Sequence, residues 1–124
     1  MDVSKTLAAG LAASRALFGA TYLIRPQQAR TSWIGRAAKK PGAQVMIRSQ
    51  GARDVALGAG ALQAVARDQE LRPWMLAHAV ADVADLVATW IARDDLPKRR
   101  ANMVLVVAGA SAAVAAGAVA TARS

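Results

Sequence analysis

The sequence predicts an all-α fold, namely a single bundle of four transmembrane helices. Three observations lead to this prediction. Of the 124 residues 55% are hydrophobic, the apolar residues fall into four long segments, and the prolines stand at the borders of those segments. The segments span residues 3–24, 41–66, 73–92 and 97–122. Ala and Leu dominate them, and because both are good helix formers the segments indicate helices and no strands.

The prolines account for the borders of the segments in chain order. Arg25-Pro26 follows the first segment, and the residue before a proline avoids the α-helical region. Pro41, Pro73 and Pro97 open the other three segments. Proline is favoured there because the first turn of a helix has no intrahelical acceptor for its N–H groups. Residues 25–40 are therefore predicted to form a basic loop at the membrane surface.

Segment length and polarity favour membrane spans over a soluble bundle. A helix needs about 20 apolar residues to cross a bilayer. The fourth segment meets this condition best, because residues 101–122 carry only Asn102, Ser111 and Thr121 as polar side chains. A soluble Ala-rich bundle is the alternative, but it would carry a polar stripe along each whole helix, and none is visible. A signal peptide is disfavoured for the first segment because Arg15 interrupts it.

The net charge of +8 first suggests a nucleic-acid partner, but its distribution instead predicts a topology. Nine basic residues lie in the two loops that four spans would place on one side: Arg25, Arg30, Arg36, Lys39, Lys40, Arg93, Lys98, Arg99 and Arg100. The opposite side has four: Lys5, Arg67, Arg72 and Arg123. The positive-inside rule then predicts a multi-pass bacterial plasma-membrane protein with both termini extracytoplasmic and no nucleic-acid partner.

The aromatic and basic residues near the predicted surfaces suggest contact with lipid. Trp33 lies among basic residues, and this loop is predicted to bind anionic lipid; a solvated basic connector is the alternative. Trp74 and Trp90 lie near opposite ends of the third segment, where an indole suits the headgroup level. The predicted interfacial residues are Trp33, Arg36, Lys39, Lys40, Trp74 and Trp90.

Charged residues near the middle of three segments are the main candidates for a functional site. They are Arg15, Arg53, Asp54, Asp82 and Asp85. Each charge costs roughly 2.5–3.5 kcal/mol at the centre of a bilayer, so we expect these residues to pair. His78 shares one helix face with the two later Asp residues, and Arg48 either joins the cluster or reaches toward headgroups. The cluster has two interpretations: a relay or ligand site, or an ion-pair network that fixes the helix arrangement.

Small residues recur every fourth position on three segments, which favours close helix packing in lipid. The rows are Ala8, Ala12, Ala16 and Ala20; Ala52, Ala56, Gly60 and Ala64; and Gly109, Ala113 and Gly117.

Two resemblances follow from these residues. The stretch 48–58 (RSQGARDVALG), with ADVAD at 81–85 and Leu96-Pro97, resembles small actinobacterial membrane proteins of the DUF4267 type. That resemblance implies a four-helix integral membrane protein and no established activity. Asp82-x-x-Asp85 is also similar to the start of the metal-binding signature of the membrane CDP-alcohol phosphotransferases. However, Leu86 and Thr89 replace the Gly and Arg of that signature, and its later acids are absent.

Catalytic chemistry finds little support in the composition. The chain has no Cys and one His, which excludes Cys-based and His-rich metal centres. No phosphate-binding Gly loop or Ser/His/Asp arrangement is present. The sequence therefore predicts a protein without enzymatic activity, metal or cofactor. The leading hypothesis is an accessory or self-associating membrane component, with a second copy or another membrane protein as partner. The alternative is proton-coupled, ion or small-molecule transport through the mid-membrane cluster.

Overall fold

A computed structural model describes residues 2–121, excluding the side chains at 29–32, 100, 101, 118 and 121. Within these residues the fold is all helical, as predicted. The helices are α1 (Val3–Ile24), α2 (Pro26–Ile34), α3 (Pro41–Ala66), α4 (Arg72–Ile91) and α5 (Lys98–Thr121), with a 3₁₀ helix at Gly35–Lys39.

The ends of the helices follow local chemistry. The Asp2 carboxylate accepts a 2.8 Å hydrogen bond from the backbone N–H of Lys5 and caps α1. Pro41 opens α3 and Pro73 lies in the first turn of α4. The long helices begin and end within one residue of the predicted borders, while the predicted end at residue 122 lies outside the described residues. The stretch predicted as a loop differs, because residues 26–39 are helical.

The four long helices alternate in direction. Gly19 and Ala12 of α1 lie against Gly51 and Gly58 of α3, so these two helices run antiparallel. Hydrogen bonds join Leu57 to His78 and Gln50 to Asp85, which makes α3 and α4 antiparallel as well. Helix α5 returns along α4, since Ser111 bonds Asp82 while Val119 packs near Met75.

The α1–α3 interface depends on the absence of side chains. A Cβ added at Gly58 would lie 2.5 Å from the Ala12 carbonyl oxygen, and one at Gly51 would lie 2.6 Å from the Gly19 oxygen. These distances are too short for a real Cβ, so the two backbones touch where glycine allows it. The predicted row on α3 is correct only in its second half: Gly60 packs against Trp74 and Ala64 is buried, whereas Ala52 and Ala56 are exposed and the buried residues beside them are Gly51, Asp54 and Gly58.

The predicted row on α5 does not mediate close packing. A Cβ at Gly109 or Gly117 would meet no heavy atom within 4 Å, and Ala113 is exposed. A small-residue row is therefore insufficient by itself to specify a helix contact in this chain.

The helical segment 26–39, which connects α1 to α3, meets the loop between α4 and α5 at one end of the bundle. Gly35 has φ +66, a conformation that residues with a side chain rarely adopt, and it packs against Pro97. A Cβ at Gly35 would lie 3.1 Å from the Pro97 Cγ. The two loops predicted to share one side thus lie at the same end of the molecule.

The apolar core is small and lies toward the other end. It contains Ala8, Ala12, Ala61 and Met75, with Leu62, Leu71, Trp74 and Val119 packed against it. Two helices, α1 and α4, are long and apolar enough to cross a membrane. The described apolar stretch of α5, Asn102–Gly117, is shorter.

Candidate functional site

Arg15 lies at the centre of a buried network of charged side chains. Its Nη1 donates a 3.1 Å hydrogen bond to Asp54 Oδ1 on α3, and its Nη2 donates to Asp82 Oδ1 on α4. All three side chains are at least nine-tenths buried. One arginine on α1 therefore connects two other helices by ion pairs.

Arg53 extends the network along the α3–α4 interface. Its guanidinium donates to Asp54 Oδ1 at 2.9 and 3.0 Å, and forms two bonds, 3.1 and 2.8 Å, with the two oxygens of Asp85. Gln50, one turn before Arg53, donates to Asp85 Oδ2 at 3.0 Å. Two parallel bonds between a guanidinium and a carboxylate fix both position and orientation.

Helix α5 joins through a neutral side chain. The Ser111 hydroxyl donates a 2.8 Å hydrogen bond to Asp82 Oδ2. Both oxygens of this carboxylate are therefore bonded, one to α1 and one to α5. The network thus contacts all four long helices, and each contributes a residue from near its middle.

The predicted pairing of the mid-helix charges is thus observed for all five of those residues. With every group ionised, three carboxylates face two guanidinium groups, so the network carries a net charge of −1. The three donors on Asp54 all reach Oδ1. None of these three bonds reaches Oδ2. This carboxylate is buried and borders the cavity described next, and its arginine partners use only one of its two oxygens.

A cavity of about 450 Å³ borders the network between α1 and α5. Its polar lining consists of Ser14, Arg15, Gln50, Asp54, Asp82, Asp85 and Ser111. Its apolar and aromatic lining includes Leu11, Phe18, Tyr22, Trp33, Met103, Val104 and Val107. Phe18 and Val107 are 60% and 62% exposed, so the cavity opens sideways between α1 and α5. Ligand pockets commonly have this size and this mixture of apolar walls with a few polar groups.

Trp33 of α2 is turned toward the bundle. Its indole Nε1 donates a 3.1 Å hydrogen bond to Thr89 Oγ1, and Thr89 in turn donates to the Asp85 carbonyl at 2.7 Å. Trp33 was expected at the lipid surface, but it is half-buried and lines the cavity. A second cavity, of about 600 Å³ and on the α3 side, is also lined by Trp33, Gln50 and Asp85.

His78 is fully buried but lies beside the network. Its Nε2 is 3.2 Å from the Leu57 carbonyl oxygen, and its Nδ1 has no hydrogen-bond partner among the described residues. It does not line either cavity. Its predicted position on the face of Asp82 and Asp85 is correct, yet its contact is with the α3 backbone.

Arg48 does not belong to the cluster, so the first of its two predicted alternatives, membership in the polar site, is wrong. It is exposed, and its Nε donates a 3.4 Å hydrogen bond to the Leu23 carbonyl at the end of α1. The six-residue step from Arg48 to Asp54 turns a helix by about 600°, which leaves the two side chains about 120° apart.

The other predicted surface residues lie near the ends of the helices. Arg36, Lys39 and Lys40 are exposed in and after the 3₁₀ helix. Trp90 is 57% exposed, with the Arg93 guanidinium 4.3 Å from its ring centre. Trp74 is half-buried, and its ring packs on α3 where Gly60 leaves room for it.

Sequence reasoning missed Gln50 and Ser111 as members of the network. Both are neutral polar residues at mid-helix. Ser111 is isolated among small apolar residues, which was an available signal, whereas Gln50 lies between Arg48 and Arg53 and nothing in the sequence distinguished it. No group of three His, Asp or Glu side chains in the described part of the chain is arranged to hold a metal ion.

Comparisons with known proteins add no relative. No protein-family model, curated protein or solved structure matches the chain. The resemblance to DUF4267-type proteins therefore stays a prediction, and any function must be argued from the site itself.

Proposed function

We propose that the chain is a four-span integral protein of the bacterial plasma membrane. Supporting this, only 22% and 28% of the residues in the apolar 18-residue stretches of α1 and α4 are buried within the protein. A core helix of a soluble protein would bury most of such a stretch. Leu17, Val80 and Val106 are 70%, 68% and 71% exposed at mid-helix, where lipid chains would cover them.

The contribution of α1 to the bundle argues against a cleaved signal. This helix packs backbone to backbone on α3 and supplies Arg15 to the network. Removal of α1 would leave Asp54 and Asp82 buried without their guanidinium partner. In the proposed topology the end with the two basic loops faces the cytoplasm and anionic lipid, and both termini are extracytoplasmic.

We infer that the function is binding and permeation of a small solute through the cavity, coupled to protons at the buried carboxylates. The single observation that carries this inference is that the network borders a 450 Å³ cavity instead of closing on itself. A network that only fixed helix positions would not need an open space beside three carboxylates. Ionisable residues at this depth in a membrane are commonly part of ion or proton pathways.

The test is proton flux in proteoliposomes containing a pH-sensitive dye, with potassium and valinomycin to balance charge. We expect flux from the wild-type protein and a loss of most of it in Asp82→Asn, which keeps the shape of the side chain but removes its charge. Asp94→Asn is the matched control, because Asp94 is exposed in the loop after α4.

A second variant separates function from folding. Val104→Trp places a large side chain in the cavity without altering any charge, and it too should abolish flux. Val106→Trp on the same helix is its control, since Val106 is 71% exposed and does not line the cavity. If wild-type protein carries no proton, ion or small-cation flux under any gradient, the permeation proposal is wrong. The accessory hypothesis would then be preferred.

A further inference from the structure

The chemistry of the cavity restricts what it can hold. Three kinds of group line it: carboxylates paired to guanidinium groups, hydroxyl or amide side chains, and aromatic or aliphatic walls. Both arginines of the network donate to carboxylates, and the total charge of −1 leaves no excess positive charge for an anion. A ligand that completes the site should therefore be a cation with one positive charge.

Asp54 indicates where that charge would lie. This residue is 7% exposed, borders the cavity and uses one oxygen for all three of its arginine hydrogen bonds. Neither arginine bonds its other oxygen, Oδ2. An ammonium N–H in the cavity would donate a charge-assisted hydrogen bond to this second oxygen, and such bonds are stronger than those between neutral groups.

The remaining walls match an apolar body attached to the cation. Phe18, Tyr22 and Trp33 supply aromatic faces, which attract cations as well as apolar groups. Val104 and Val107 supply an aliphatic wall from α5. The sideways opening beside Phe18 and Val107 would admit an amphipathic molecule from the lipid.

We propose that the cavity binds a protonated amine carrying an aromatic or aliphatic body, with its ammonium group on Asp54 Oδ2. This proposal rests on the proposed function and names the class of its solute. An inorganic cation would bind the carboxylate but would not fill the aromatic and aliphatic part of the cavity. A neutral or anionic molecule would leave the −1 charge of the fully ionised network uncompensated.

The test uses three indole compounds of nearly equal size: tryptamine, tryptophol and indole-3-acetate. They carry a positive, zero and negative charge at neutral pH. Titration calorimetry on the detergent-solubilised full chain should give tryptamine an affinity roughly tenfold or more above that of tryptophol, with indole-3-acetate weakest. Equal affinities for tryptamine and tryptophol, or no tryptamine binding, would overturn the proposal.

Two variants test the place of binding. Val104→Trp should reduce tryptamine affinity by roughly tenfold or more, whereas Val106→Trp should leave it unchanged. Asp54→Asn should remove the preference for tryptamine over tryptophol. If that variant does not fold, the Val104 and Val106 pair still decides, since unchanged binding in Val104→Trp would place the amine elsewhere and overturn the proposal. Proton flux by a protein that does not bind tryptamine would refute the amine class and leave the permeation proposal intact.

Discussion

The α1–α3 pair and helix α5 use similar residues in opposite ways. Helices α1 and α3 touch at glycine and alanine, and Asp54 and Arg15 lie within the packed faces. Helix α5 is just as rich in small residues, yet Gly109 and Gly117 have open space where a side chain would be. Its polar link to the network is the neutral Ser111. The difference indicates that a buried charge selects which small-residue face turns inward, since an unpaired charge in apolar surroundings is costly.

The largest effect should follow from removing Arg15, which bonds Asp54 of α3 directly and is linked to α5 through Asp82 and Ser111. Arg15→Met leaves Asp54 and Asp82 buried without their α1 partner, and we expect a loss of about 3–5 kcal/mol in the free energy of unfolding. Arg48→Met is the control, because Arg48 is exposed and outside the network. The measurement is unfolding in mixed detergent and SDS micelles, followed by tryptophan fluorescence. A similar stability for both variants would mean that the charges do not determine the packing.

A smaller but selective effect should follow from adding a methyl group to each kind of glycine. Gly58→Ala places a Cβ against the Ala12 carbonyl and should cost about 1–3 kcal/mol of stability by the same measurement. Gly109→Ala fills open space on α5, and the higher helix propensity of alanine should add up to about 1 kcal/mol. Equal effects at the two positions would remove the distinction between the two regions.

The smallest effect concerns the exposed end of the α1–α3 pair. Lys5 forms an ion pair with Asp68 in the turn after α3, and its hydrogen bond and charge hold the pKa of Asp68 below its ordinary value. The pair therefore stabilises the fold above the unfolded pKa of Asp68, about 3.9, and this contribution disappears as the pH falls through the lower folded value.

Lys5→Gln should accordingly lower stability slightly at neutral pH and not at all at the acid end of a pH titration. Because the Asp68 side chain is 83% exposed, added salt should weaken the effect. A difference between the two proteins that persists in strong acid would exclude this ion pair as its cause.

The long helices and the five charged members of the network were predictable from the sequence because they depend on local and one-dimensional signals. Prolines mark helix borders, and mid-segment charges in apolar surroundings must find each other. The partners of those charges were harder to predict. Ser111 and Gln50 carry no charge and resemble other polar residues until the helices are positioned in three dimensions.

Trp33 and the α3 packing face depend on geometry that a sequence pattern does not contain. Trp33 was predicted at the lipid interface because its neighbours in sequence are basic. Its hydrogen bond to Thr89, 56 residues away in sequence, instead turns it toward the bundle. On α3 several small-residue rows were available, and only the position of Asp54 distinguishes the packed one. The small residues that share a helix face with Asp54 are Gly51 and Gly58, so the position of this charge would have selected them.

The central claim is that the charged network lies at the middle of a membrane-spanning bundle. The chain has no cysteine, so single substitutions can be spin-labelled directly. Leu17, Ala56 and Val83 are exposed at about the level of the network on α1, α3 and α4, while Lys40 and Gln69 are exposed at the two ends. In lipid vesicles, electron paramagnetic resonance should show high oxygen and low nickel-chelate accessibility for labels at the three middle positions. The two end positions should show the reverse. High nickel-chelate accessibility at all five positions would contradict the claim and indicate a bundle surrounded by water.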